Sequence, residues 1–526
     1  MGDIPSSPAI RRLFDAFPAM DRIDISVTYA DIRRTTYCET ARRATDEKYI
    51  LTVSDGGSKA GIECSRGKSA WYALCELARR VGDGTLRDGE FIRSPAFASR
   101  GYIEGFYGKP WTSRQRVDIL RLAAFHGMNT VYYAPKDDPY HREKWRDLYP
   151  ADALADLAAL VREASEHYMD FYWCAAPGLS IRYSDDGDFE ALMRKTRQLY
   201  SIGVRCFGLL LDDIEPELSD AADQARYGET VNAHIDLVCR YSDALAALDE
   251  TLRLTVCPTL YHGRGDEYYI AKLGRNIPAR VSLFWTGRDI CSRELTEFEA
   301  LKFIESTRHK PLYWDNYPVN DMAMYNEMHL GPLIGRGPEL WKYAEGLICN
   351  CMEYAECSKI PLITAAEYLW NGAAYEPEEA WRRAIREIVG RESAAVFSVF
   401  ADHLRTSCLM DENSKQLIGL FFDVAKQWKK GEKEAALESA AEYIEKMRAC
   451  REFLARDLPL CRELAKWTEK FGVFCELADK LLESFTSGGD ARIRELHALL
   501  AKYDSNPTRF ADDADIRIAV REIIGS

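Results

Sequence analysis

The stretch RCFGLLLDD, residues 205–213, runs six apolar or small residues without a break and then sets Asp212 and Asp213 side by side. A short apolar run ended by polar residues reads as a strand buried on both faces, the kind found in parallel sheets. Seven more runs repeat the pattern: SRGYIEGFYG from 99, NTVYYAPKD from 129, MDFYWCAAP from 169, LRLTVCPTLY from 252, RVSLFWTG from 280, PLYWDN from 311 and GLICNCME from 346. Amphipathic helical stretches between the runs mark βα units. Eight parallel strands close a (β/α)8 barrel, and the span 98–375 suits the roughly 250 residues such a barrel takes. The fold class is α/β, a TIM-type barrel with a further domain on each side.

Residues 1–97 alternate strand-like stretches (RIDISVTYA, KYILTVS, GIECSR) with one amphipathic helical stretch, SAWYALCELARRV, which predicts a small α+β domain. Over 376–526 Ala, Glu, Lys and Arg dominate and apolar residues recur at helical spacing, as in ALESAAEYIEKMRACREFLA. A C-terminal domain of antiparallel helices is expected there, covering a barrel flank or part of the substrate groove. Its outer face offers a surface on which a homodimer could form.

A chain of 526 residues exceeds one ordinary hydrophobic core. With 69 basic against 83 acidic residues, a net charge of -14, the composition argues against nucleic acid as the main partner and for a neutral or polar one. Fifteen cysteines, an odd number, are scattered through apolar segments and suggest thiols in a reducing compartment. No apolar run of about 18 residues is present, so no membrane span is expected and a cytoplasmic protein is. MGDIPS fits the loose myristoylation pattern through Gly2 and Ser6, although Asp3 and Pro5 lend it nothing. Cys349, Cys351 and Cys357 could be read as metal ligands, but no second half-site or nearby His follows them. Neither a metal nor an organic cofactor is expected.

Barrel enzymes build their sites on the C-terminal lip of the strands. Here the lip collects Glu104 and Gly105, Lys136 with Asp137 and Asp138, Asp212 with Asp213, Tyr261, Trp285, Trp314 with Asn316 and Asp321, and Asn350. Three readings of the paired aspartates compete. They could cap a following helix. They could bind a divalent cation with Glu215 and Glu217, although a hard cation needs oxygen ligands from other loops, and those loops supply Lys and Trp. They could do acid–base work on a sugar. A pyranose offers C–H faces to aromatic rings and hydroxyls to Asn, Asp and Lys, a mixture that Trp314, Tyr261, Asn316, Asp321 and Asn350 provide. Adjacent carboxylates suit poorly the pair that flanks a scissile bond from opposite sides. That points to substrate assistance, with the sugar's 2-acetamido oxygen as nucleophile, one aspartate on the acetamido N–H and the other protonating the leaving oxygen.

RGYIEGFYGKPW, YYAPKDDPYHREKWRDLYP, LLLDDIEPEL, CPTLY, WTG, YWDNYPVND and NCMEYAE, in that order, resemble the catalytic barrel of glycoside hydrolase family 84, the O-GlcNAcases and related bacterial β-N-acetylglucosaminidases. The resemblance implies a retaining exo-β-N-acetylglucosaminidase that passes through an oxazoline intermediate. It assigns Asp212 to the acetamido group and Asp213 to general acid and then base, with an Asp213 pKa raised by its negative neighbour. It places Gly105, Lys136, Asn316, Asp321 and Asn350 on the sugar's polar rim, Tyr261 on the attacking acetamido oxygen and Trp314 in the acetamido pocket. Cys351 departs from the proline frequent after the sugar-binding asparagine. The implied partner is a GlcNAc-containing glycan or glycosylated protein. Alternatives are a hexosaminidase for chitin, hyaluronan or cell-wall oligosaccharides, and a non-catalytic GlcNAc-binding protein.

Overall fold

The computed structural model describes residues 7–30, 47–486 and 490–511. Gly2 and Ser6 lie outside them. The N-terminal region holds two helices where the sequence pattern suggested one. Helix α1 (Pro8–Ala16) begins with Pro at its first position and is capped by the Ser7 hydroxyl, which accepts from the Ile10 N–H at 3.1 Å. Strands β1 (Asp24–Tyr29), β2 (Tyr49–Ser54) and β3 (Lys59–Cys64), helix α2 (Gly67–Asp83) and strand β4 (Gly89–Arg93) follow. The sheet order is β1-β3-β2-β4. Alternation turns Tyr49, Leu51, Val53, Ala60, Ile62 and Cys64 onto α2. Strand β4 has no fully buried residue, so it lacks the alternation that would announce it.

The eight expected runs are the eight strands of a closed, all-parallel barrel. They are β5 (Ser99–Glu104), β6 (Thr130–Tyr133), β7 (Asp170–Ala175), β8 (Cys206–Leu210), β9 (Arg253–Cys257), β10 (Ser282–Trp285), β11 (Pro311–Asp315) and β12 (Gly346–Asn350). Pairing of β12 with β5, Gly346 opposite Ser99, closes the ring. Around it lie α3 (Ser113–Phe125), α4 (Ala151–Glu166), α5 (Asp186–Ser201), α6 (Ala221–Tyr227), α7 (Thr230–Leu248), α8 (Tyr268–Asn276), α9 (Glu297–Thr307) and α10 (Ala355–Trp370). One unit departs from the βα pattern: residues 316–345, between β11 and β12, form only short 3-10 turns. That segment carries prolines and glycines, which interrupt helix formation, and it becomes a long lip loop.

Seven further helices follow among the described residues: α11 (Pro377–Val389), α12 (Arg391–Asp402), α13 (Lys415–Lys429), α14 (Lys433–Leu454), α15 (Pro459–Glu463), α16 (Ala465–Thr486) and α17 (Asp490–Ser505). They share one hydrophobic core with the barrel, in which Trp381, Phe397, Phe400 and Phe471 meet Met328, Leu330, Met352 and Ile360. Polar ties reinforce it. The Trp381 indole donates to the Leu330 carbonyl at 2.6 Å, and Glu463 accepts the N–H groups of Glu356 and Cys357 at the start of α10. The helices thus cover a barrel flank, as their amphipathic period suggests.

Candidate active site

Strand periodicity decides which lip residues face the axis. The side chains filling the barrel include Ile103, Tyr132, Ala134, Leu210, Cys257, Leu312, Trp314 and Ile348. Counting on by twos from these reaches Gly105, Lys136, Asp212, Tyr261, Asn316 and Asn350, so pleating alone aims these positions inward. Asp213 would then point outward to the helices. Its backbone instead adopts φ 54°, a left-handed conformation that aspartate tolerates better than most residues, and this swings its carboxylate back over the mouth.

The result is a cavity of about 630 Å³ walled by all nine residues expected from the sequence: Gly105, Lys136, Asp212, Asp213, Tyr261, Trp314, Asn316, Asp321 and Asn350. The two carboxylates occupy different depths. Asp212's side chain is 9% exposed and Asp213's 34%. Lys136 Nζ lies 3.5 Å from Asp212 Oδ2 and 3.4 Å from Asp213 Oδ2, so it serves these two and not its neighbours Asp137 and Asp138.

Trp314 forms the floor, buried and edge-to-face on Phe284 with centroids 5.3 Å apart. Its indole donates to Asn316 Oδ1 at 2.9 Å, and Asn350 Nδ2 donates to the same oxygen at 3.0 Å. Asn316 Nδ2 in turn donates to the Ile290 carbonyl at 2.7 Å. Asn316 is therefore mainly a brace that fixes the two residues beside it. Asn350 Oδ1 is buried without a hydrogen-bond partner among the described residues and lines the cavity, an acceptor ready for a ligand hydroxyl. A Cβ at Gly105 would stand 2.8 Å from Trp314 Cζ2 and 3.3 Å from Asn350 Oδ1, so glycine here is what leaves the floor open.

The electrostatics correct one expectation. Burial raises the Asp213 carboxyl, but the Lys136 charge and the hydrogen bond from Tyr107 outweigh it and hold Asp213 below the usual range, whatever its negative neighbour contributes. Burial raises Asp321, whose Oδ2 accepts the Tyr107 N–H at 2.7 Å. Burial, with the charge of Asp213 next, also raises the Tyr261 phenol.

Several lip residues stay out of the cavity. Buried Glu104 pairs with Arg116 at 2.7 Å, and the Trp285 indole donates to the Gly287 carbonyl. Asp138 accepts from Tyr149 Oη and Tyr133 Oη. Glu215 and Glu217 line a separate depression with Asp220 and Asp223. Cys349, Cys351 and Cys357 are buried thiols, and among the described residues no group of three or more His, Cys, Asp or Glu is placed to hold a metal ion. Residues the sequence reading passed over include Tyr107, whose hydroxyl donates to Asp213 Oδ2 at 2.6 Å, and Arg142, which donates to that hydroxyl at 3.1 Å. Both sit inside quoted motifs, but nothing in their spacing shows that they meet Asp213. Cys291 lines the cavity, and its thiol hydrogen-bonds with that of Cys408 from the helical region.

A parallel barrel whose lip gathers two carboxylates, a lysine, amides and a tryptophan floor has the makings of a sugar-processing site, and sequence comparison agrees. The β-N-acetylglucosaminidase family model matches residues 100–402, and the chain belongs to that family, glycoside hydrolase family 84. The Protein O-GlcNAcases of Rattus norvegicus and Mus musculus are each 30% identical over 274 residues, 51% of this chain and 29% of theirs, so the chain spans less than a third of their length. Among solved structures, a mutant of the O-GlcNAc hydrolase of Thermobaculum terrenum is 30% identical, covering 82% of this chain and 95% of its own with a TM-score of 0.75. CpGH84B shares the fold at TM-score 0.83 and 24% identity over 98% of this chain and 95% of its own.

Proposed function

We propose that the protein is a retaining exo-β-N-acetylglucosaminidase that removes terminal β-linked GlcNAc by substrate-assisted catalysis. The observation that carries this reading is the unequal placement of Asp212 and Asp213 on the lip of one cavity: one nearly buried beside Lys136, the other more exposed and held on the same lysine with a left-handed backbone. In the first step the acetamido carbonyl oxygen attacks the anomeric carbon while Asp212 accepts the acetamido N–H. Asp213 gives its proton to the departing oxygen, and an oxazoline forms. In the second step Asp213, now ionised, takes a proton from water as the water opens the ring, which restores the original anomeric configuration.

Tyr261 faces the acetamido oxygen in this scheme, Trp314 packs on the acetamido methyl, and Gly105, Lys136, Asp321 and Asn350 hold the hydroxyls. The substrate is a GlcNAc-bearing glycan or protein, consistent with the names of the relatives. Among the described residues no helix is long and apolar enough to cross a membrane. Proton NMR of aryl β-GlcNAc hydrolysis tests the reading: β-GlcNAc as the first product supports it, whereas α-GlcNAc or no turnover overturns it. A thiazoline analogue of the bicyclic intermediate should compete with substrate and bind more tightly than GlcNAc.

A further inference from the structure

Asp213 is asked to be an acid in one step and a base in the next, and its surroundings favour one of those states. Two groups reach it, and both meet the same oxygen. Tyr107 Oη donates to Oδ2 at 2.6 Å and Lys136 Nζ lies 3.4 Å from Oδ2, so neither of these contacts occupies Oδ1. Tyr107 is itself fixed from two sides. Its N–H donates to Asp321 Oδ2 at 2.7 Å, and Arg142 Nη1 donates to its hydroxyl at 3.1 Å. Both cations also lie near its ring, Lys136 at 5.0 Å and Arg142 at 6.0 Å from the centroid.

We propose that Arg142 and Tyr107 form a relay that holds Asp213 in its ionised, proton-accepting form, Tyr107 by direct contact and Arg142 as a positioning residue acting through the phenol. A guanidinium on the phenol oxygen polarises the O–H and makes it a stronger donor to the carboxylate. Such a donor stabilises the charged carboxylate over the neutral acid. It therefore favours the water-attack step and opposes leaving-group protonation, and a charge-assisted bond of this kind is strong enough to move a pKa by about one unit. The other groups facing Asp213 are Asp212 on its own loop, Lys136 after β6, Cys257 and Tyr261 on and after β9, and Asp321 after β11. Of these only Lys136 is a cation, so the relay is the second positive influence on a carboxylate otherwise surrounded by acids and neutral groups. The Asp213 carboxyl is lowered against burial by the Lys136 charge first, then the Tyr107 hydrogen bond, with the Arg142 charge a smaller influence that the Tyr107→Phe background separates from the relay.

The inference rests on the assignment of Asp213 as acid and base, and two readouts keep the two ideas apart. In the pH profile of kcat/KM on an aryl β-GlcNAc, Tyr107→Phe should move the alkaline limb up by about one unit. Arg142→Met should move it the same way by less, Arg142→Lys should recover part of the shift, and Tyr107→Phe with Arg142→Met should shift no further than Tyr107→Phe alone. A fall in rate with unmoved limbs would overturn the relay and leave both residues structural. A full Arg142→Met shift in the Tyr107→Phe background would show that Arg142 acts on Asp213 directly. Carbon-13 NMR of aspartate-labelled protein, with Asp213→Asn to assign the resonance, follows the carboxyl itself without turnover. There Tyr107→Phe should raise the midpoint, and an unchanged midpoint would overturn the relay even in a protein that hydrolyses nothing.

Discussion

Lys136 Nζ stands 3.4 Å from Asp213 Oδ2, although the two residues follow different strands, β6 and β8, 77 positions apart. The lysine is charged and mostly buried, and in the free site it holds the carboxylate ionised. A general acid must carry its proton, so kcat/KM should fall as pH rises through this lowered value. If sugar hydroxyls draw Lys136 away, the carboxyl rises in the complex, and the alkaline limb of kcat should lie above that of kcat/KM. Coincident limbs would contradict this. Lys136→Met should raise the kcat/KM limb and weaken binding together.

Gly105 and Trp314 are too close for a side chain at the first position. In Gly105→Ala the new methyl would meet the indole at 2.8 Å, and either the indole or the strand end must shift. Activity should fall by at least tenfold, a loss of about 1.4 kcal/mol of transition-state binding, while overpacking lowers stability by about 1–3 kcal/mol. Wild-type kcat/KM in a folded Gly105→Ala variant would show that the floor is softer than drawn here.

All eight barrel strands were legible in the sequence because they follow a local rule, whereas the nine candidate residues came from the strand ends together with the family resemblance, and other cavity residues such as Tyr107 and Cys291 were not singled out. Apolar runs mark the strands, and positions two beyond an inward side chain face the axis. What was not legible depends on where separate loops meet. The low pKa of Asp213 comes from Lys136 and Tyr107, and neither distance is encoded near residue 213. Asn316 presents the same amide whether it binds a ligand or braces Trp314 and Asn350. Helix α1 and strand β4 escaped notice because one is short and the other largely exposed.

Glu47 ties the N-terminal region to the barrel. Burial would raise its carboxyl, but Arg100 at 2.7 Å and Lys68 at 2.9 Å bring it down to about 2 from 4.5. A depressed folded pKa gives stability that is present above the unfolded value and lost as pH falls toward the folded one. The contribution is on the order of 3 kcal/mol. Glu47→Gln should therefore unfold more readily than wild type at neutral pH in urea, with the difference shrinking between about pH 4.5 and pH 2. A pH-independent difference would contradict this.

Cys291 lies on the cavity wall, and its hydrogen bond with Cys408 draws its thiol below the ordinary value, whereas burial raises Cys174, Cys257, Cys349 and Cys351. Thiolate character and access govern alkylation. Iodoacetamide should modify Cys291 ahead of these thiols and inactivate the protein, with protection by the thiazoline analogue and resistance in Cys291→Ser. Equal inactivation of Cys291→Ser would place the sensitive thiol elsewhere.

The division of labour between the two aspartates is tested most directly by leaving-group dependence. Protonation matters when the departing oxygen is basic, and a general acid contributes about 10²–10⁴-fold there. Asp213→Ala should lose kcat/KM by that factor on an alkyl β-GlcNAc and lose little on a dinitrophenyl β-GlcNAc. Asp212→Ala, which acts on charge developing within the sugar, should lose heavily on both. The same leaving-group dependence in the two variants, or wild-type rates in either, would contradict the account.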